Sequence, residues 1–172
     1  PQTMATYQGT EVFGAGESGG VGMGVDLRSA STSTDYDKAS AVIDLLSGHL
    51  KAVYGGSYQE GVTRRTVINV PTGSTFRCDK IFGGAYGLYN EYPCDVYEAN
   101  VNWNSSDAII GGYRTGIYGG NNNCRRTFYG KVNINAPVYS YKDPQNDATK
   151  HTYATVYGAG YSKDTWSQYT EV

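Results

Sequence analysis

The sequence contains no apolar run near the twenty residues that a membrane-crossing helix needs, so no transmembrane segment is expected in this chain. Its first residues, Pro1-Gln2-Thr3, also lack the basic and apolar regions of a secretion signal. If the parent protein is exported, the signal is expected to lie outside these residues. Charge of either sign is scarce: the formal net charge is -2 and no block of like charges occurs, which leaves no electrostatic basis for binding nucleic acid. The three cysteines, Cys78, Cys94 and Cys124, are too few for a disulfide framework and lack the close spacing of a zinc site. The two histidines, His49 and His151, are isolated and receive no role. Leu, Ile, Val and Phe together make up only about a sixth of the chain, low for a globular domain.

The material that replaces them is tyrosine and glycine. With 17 Tyr and 23 Gly at nearly neutral charge, the composition is not that of a disordered chain. It favours a flat β structure in which aromatic rings pack on pleated surfaces and Gly supplies the tight corners. A short phrase of an apolar residue, an aromatic and two small residues recurs as Val12-Phe13-Gly14-Ala15, Val53-Tyr54-Gly55-Gly56, Ile81-Phe82-Gly83-Gly84, Ile117-Tyr118-Gly119-Gly120 and Val156-Tyr157-Gly158-Ala159. A second phrase alternates apolar and polar residues: Ile43-Asp44-Leu45, Ile68-Asn69-Val70, Val101-Asn102-Trp103, Val132-Asn133-Ile134 and Thr170-Glu171-Val172. Such triplets fit short strands whose flanking residues point inward and whose centre points out.

Recurrence of both phrases in constant order predicts an all-β parallel β-helix, a solenoid of four to five coils with long loop insertions. An antiparallel sandwich is the alternative, but its strands need not resemble one another. Residues 1–172 are read as one solenoid domain or a segment of a longer one, with loop excursions at 28–40 and 139–152. Stacking predicts a ladder of Asn69, Asn102 and Asn133. Seven residues before the triplet centres it predicts a column of alternating charge, Asp95, Arg126 and Asp164. Cys94 and Cys124 fall at nearly equivalent places on consecutive coils, within disulfide reach, which leaves Cys78 unpaired. No polar cap is visible at the last triplet, so the stack is expected to meet further coils of a longer chain or copies of itself.

The phrases VYGG and IYGG, followed by Arg64-Arg65-Thr66-Val67-Ile68-Asn69-Val70 and Arg125-Arg126-Thr127-Phe128-Tyr129, resemble those of long repetitive surface or secreted proteins of Gram-negative gut bacteria. The resemblance spans most of the chain from Ala52 onward. It implies a β-helix akin to pectin-lyase-like or adhesin-type folds and an extracellular or cell-surface location, and it carries over no catalytic residue.

Catalysis on such a scaffold needs acids converging on calcium, or paired carboxylates across a bond. Here Asp44, Asp79, Asp95, Glu98, Asp164 and Glu171 are spread along the chain. The Gly14-Ala15-Gly16 and Gly19-Gly20-Val21-Gly22 segments do not fit a phosphate loop, and Asn121-Asn122-Asn123 reads as a polar turn. No catalytic residue, cofactor or metal is therefore expected. Tyr86, Tyr89, Tyr92, Tyr113, Tyr139, Tyr141, Tyr161 and Trp166 are candidates for a flat surface that stacks on host or bacterial glycans. The leading expectation is a non-enzymatic stalk, fibre or adhesin-type scaffold; the alternative is a carbohydrate-binding or lyase-like β-helix.

Overall fold

The computed structural model describes residues 9–21, 40–87, 94–111, 115–140, 152–162 and 165–172. They form thirteen strands and no helix: β1 (Glu11–Phe13), β2 (Ser40–Asp44), β3 (His49–Tyr54), β4 (Thr63–Val70), β5 (Arg77–Phe82), β6 (Val96–Trp103), β7 (Ile109–Ile110), β8 (Gly116–Tyr118), β9 (Arg126–Ile134), β10 (Tyr139–Ser140), β11 (Thr152–Tyr153), β12 (Thr155–Tyr157) and β13 (Trp166–Glu171). Five of them make one sheet in the order β13-β9-β6-β4-β2, parallel throughout. The other eight make a second sheet, β1-β3-β5-β7-β10-β11, with β8 and β12 branching from β5. The all-β content follows from the alternating triplets and the near absence of long helix-forming runs.

The expected parallel β-helix of four to five coils is not what these residues form. The larger sheet forks, because β5 pairs through Arg77 and Cys78 with β7 and through Lys80 to Phe82 with β8. It also contains an antiparallel pair, β10 with β11. A single repeating coil would place one parallel strand per turn on each face, so the fork and the reversal rule it out. The fold is two sheets of mostly parallel strands. Of the two expected loop excursions, Ser40 instead opens β2, Tyr139 and Ser140 form β10, and Thr152 begins β11; the remainder of both lies outside the described residues.

The main core draws on both sheets. Val53, Cys78, Ile81 and Ile117 come from the larger one, and Ile68, Val70, Val101, Trp103 and Val132 from the smaller, all at or near zero exposure. Each fully buried aliphatic side chain of this kind contributes about 1.5–3 kcal/mol. Within β4, β6 and β9 the chain departs from strict alternation at one place. Thr63 and Thr66, Val96 and Ala99, and Thr127 and Gly130 are all buried, so the two residues between each pair face outward together.

The recurring glycine after each aromatic has a steric cause. A Cβ on Gly14 would meet the carbonyl of Gly55, one on Gly55 that of Gly83, one on Gly83 that of Gly119, and one on Gly119 that of Gly158. Each glycine thus lets the next strand's backbone close over it, and Thr66 donates its hydroxyl hydrogen to the Gly83 carbonyl at the same corner. Gly55→Ala is expected to cost about 1–3 kcal/mol by overpacking. Gly16→Ala, whose Cβ would have no neighbour closer than 3.6 Å, should change stability by less than ~0.5 kcal/mol. Denaturant melts of the two variants check this difference.

Candidate functional site

Three columns of side chains run across the strands. On the outer face of the five-stranded sheet, parallel register sets Asp44 beside Asn69, Asn69 beside Asn102, and Asn102 beside Asn133. Asn69 donates from Nδ2 to Asp44 Oδ1 at 2.8 Å, Asn102 to Asn69 Oδ1 at 2.8 Å, and Asn133 to Asn102 Oδ1 at 2.7 Å. An amide has both a donor and an acceptor, so identical residues at this spacing satisfy one another. The last triplet does not join them. Glu171 pairs with Lys131 rather than Asn133, and its carboxylate takes an ion pair from Lys131 Nζ at 3.0 Å and a hydrogen bond from the Tyr129 hydroxyl at 2.9 Å. Those two partners hold the Glu171 carboxyl below its usual range.

The second column is aromatic. Phe13, Tyr54, Phe82, Tyr118 and Tyr157 stack in sequence with centroids 4.8, 5.0, 4.8 and 4.9 Å apart and planes within 12° of parallel. Tyr54, Phe82 and Tyr118 are buried in a cluster with Ala52, apart from the main core. A neighbouring row reads Tyr58, Tyr86, Asn122 and Tyr161, joined by isolated parallel bridges. Tyr58 and Tyr86 stack at 5.6 Å, and Tyr161 sets its ring edgewise against Phe82 and Tyr118. Burial raises the Tyr54 hydroxyl well above its ordinary value and pushes Tyr118 up from 10.0 to about 12.

The third column gathers charge, rings and the disulfide. Cys94 and Cys124 are bonded, with Cα atoms 5.7 Å apart, in a buried pocket with Ala85, Val96 and Ala99. Asp95, next to Cys94, lies 3.3 Å from Arg126 Nε and 3.5 Å from Arg125 Nη2. The alternating column expected beyond it is not continued by an acid: β13 sets Trp166, not Asp164, opposite Arg126. Asp164 lies outside the described residues. Arg64, which follows no such column in the sequence, sits with its guanidinium 4.5 Å over the Tyr97 ring, while Arg65 pairs with Glu98 at 3.4 Å. Cys78 is a buried thiol in the main core, its ionisation held well above the ordinary value by burial.

Of the candidate glycan-stacking residues, Tyr86 is half-buried with a ring face against Tyr58, and Tyr139 is half-buried in β10. Tyr161 and Trp166 are exposed, at 38% and 46%. Tyr89, Tyr92, Tyr113 and Tyr141 lie outside the described residues. The described candidates do not converge on one platform: Tyr86 and Tyr161 flank the larger sheet, and Trp166 lies on the smaller one. Among the described residues no group of three His, Cys, Asp or Glu could hold a metal ion, and no helix is long and apolar enough to cross a membrane.

Sequence reasoning took Asn121 only for part of a polar turn. This side chain, fully buried, accepts from the Ala85 amide at 2.8 Å and donates to the carbonyls of Cys94 at 3.3 Å and Arg126 at 2.6 Å. It links the corner of one sheet to the segments that lead into β6 and β9. The only signal in the sequence is an Asn in the place where other phrases carry Ala85 or Ser57. No family model, curated protein or solved structure matches the chain.

Asn121→Ala should cost about 2–4 kcal/mol, since it strands two carbonyls and an amide at a fully buried position. Denaturant unfolding with the disulfide intact measures it. The tyrosine stack adds a pH dependence. Because Tyr118 is harder to ionise folded than unfolded, stability is fully present below pH 10 and falls as pH rises from 10 towards 12. Tyr118→Phe should flatten that decline, read from melting temperature against pH together with tyrosinate absorbance.

Proposed function

We propose that this chain is a non-enzymatic scaffold element of an extracellular or cell-surface assembly, a stalk, fibre or adhesin-type support that grows by adding strands. The observation that carries the reading is the contrast between the interior strands and β13. Strands β4, β6 and β9 are each paired with a neighbouring strand on both sides. By contrast, β13 is outermost in its sheet among the described residues and leaves Trp166, Tyr169 and the adjoining Val172 exposed at 46%, 62% and 72%. An edge strand with exposed apolar side chains is a template for further pairing. The occupant is a further strand, from the same chain or from a copy of it.

Two features support the rest of the reading. Five described carboxylates, those of Glu11, Asp44, Asp95, Glu98 and Glu171, are engaged with Lys51, Asn69, Arg126, Arg65 and Lys131, which suits a load of cross-strand bonds better than proton transfer. The buried Cys94–Cys124 disulfide suits an oxidising compartment such as the exterior of the cell.

Sedimentation of the chain over rising concentration tests the proposal. The expected result is reversible association that weakens when Tyr169→Lys and Val172→Pro place a charge and a missing donor on the β13 edge, with the melting temperature unchanged. A monomer at every concentration, unaffected by the two substitutions, would sink the strand-addition reading.

A further inference from the structure

The outer face of the five-stranded sheet carries a strip of which the scaffold reading uses only Trp166, at its β13 end. It begins where β4, β6 and β9 turn two consecutive residues outward. Arg64 lies over Tyr97, 4.5 Å from the ring centroid. Tyr97 stacks on Phe128 with centroids 4.6 Å apart and planes 14° from parallel. Phe128 then meets Trp166 edgewise at 6.1 Å, and the Arg126 guanidinium lies 5.8 Å from Phe128 and 5.9 Å from Trp166. Arg125, with 47% of its side chain exposed, flanks the strip and reaches Asp95.

The charge of this strip is opposite to that of the chain. Arg125 and Arg126 share one carboxylate, Asp95, itself only 8% exposed, Arg64 lies over Tyr97, and the adjoining Arg65 and Glu98 offset each other, so the strip is positive while the whole sequence carries a net charge of -2. The rings add to the effect. Tyr97 and Phe128 cover one another's faces, so they turn their edges outward, and the edge of an aromatic ring is its electropositive part. A cation stacked on one end and another beside the other end leave a ribbon that is apolar in surface and positive in potential. Its length runs across the strands, one residue per strand spacing of about 4.8 Å, comparable to one sugar unit of an extended polysaccharide.

We propose that this strip, Arg64, Tyr97, Phe128, Trp166, Arg126 and Arg125, binds an anionic polysaccharide laid across the strands. The acidic groups of the polymer, carboxylate or sulfate, meet the guanidinium forks, which match planar oxyanions in two-point hydrogen bonds. The pyranose C–H faces rest on the exposed side of Trp166 and on the ring edges. A neutral glycan would gain the contact area but none of the charge-assisted bonds. Trp166 is shared with the β13 edge, but the arginines lie away from that edge, so their substitution tests this site separately from strand addition at β13.

The test is calorimetric titration of the intact, oxidised chain with four probes: an oligogalacturonate, a heparin oligosaccharide, a neutral cello-oligosaccharide and single-stranded poly(dT). Binding of oligogalacturonate or heparin, weakening as salt rises and absent for the cello-oligosaccharide, is the expected result. The first two probes distinguish carboxylate from sulfate as the preferred group. Arg64→Gln with Arg125→Gln should weaken binding roughly ten-fold or more, and Trp166→Ala by a few-fold. Asp95 keeps Arg126 in both variants, so both should fold, with the melting temperature lowered by only a few degrees through the lost ring and ion-pair contacts, and sedimentation should be unaltered by the arginine pair. Equal binding of the neutral sugar, tighter binding of poly(dT), no binding of either acidic glycan, or acidic-glycan binding that ignores the arginine substitutions would each overturn the proposal.

Discussion

Strict in-register parallel pairing is the constraint on which this molecule depends. When equivalent residues of successive strands lie side by side, each side chain has a copy or a near copy of itself as neighbour, and only some chemistries tolerate that. Amides do, because Asn133 gives a hydrogen to Asn102, Asn102 to Asn69 and Asn69 to Asp44, so that Asn69 and Asn102 each give one and receive one. Flat rings do, because Tyr54, Phe82 and Tyr118 stack at the separation that the backbone imposes. Charges tolerate it only with alternation, and Lys131 beside Glu171 and Arg65 beside Glu98 obey that requirement. Glycine is the fourth solution, used where the backbone itself must lie against the next strand.

These solutions also explain why so little aliphatic material suffices. The interior between the sheets is filled by one or two apolar residues per strand, with Trp103 and Phe76 supplying the largest buried volumes. The outer surfaces are not left to water as they would be in an ordinary two-layer protein. On the larger sheet a ring stack is buried on the side away from the main core, and on the smaller one amide and guanidinium groups bridge from strand to strand. Cohesion is therefore spread over both faces of each sheet rather than concentrated in one core.

Much of the register was legible in the sequence. Alternation around Asp44, Asn69, Asn102 and Asn133 forces their order, since a slip of one residue would turn Ile68, Val101 and Val132 to solvent. The final triplet misled because another pattern overrides it. Buried pairs three residues apart, Thr63 with Thr66, Val96 with Ala99 and Thr127 with Gly130, align with Ser167 and Thr170, and this sets Glu171 two residues short of the Asn column. The fork at β5 left no local signal: Ile109-Ile110 and Gly116 to Tyr118 read equally well as strands of one repeat. The role of Asn121 was illegible for a different reason, as it lies in joining the nearby Arg126 carbonyl to two backbone groups, those of Ala85 and Cys94, from much earlier in the chain. The outward arginine and aromatic strip depends in the same way on which strand lies next to which.

The disulfide closes a ring of chain from Cys94 to Cys124, a separation of 30 residues that contains β6, β7 and β8 and so spans both sheets. Mechanically, that ring is a stop. If the two ends of the protein were drawn apart, the strands on either side could peel away, but the residues inside the ring could not add their length of roughly 100 Å to the extension. Tension would instead pass through a single sulfur–sulfur bond buried beside the Asn121 junction, so the middle of the molecule would carry load covalently while its flanks yield.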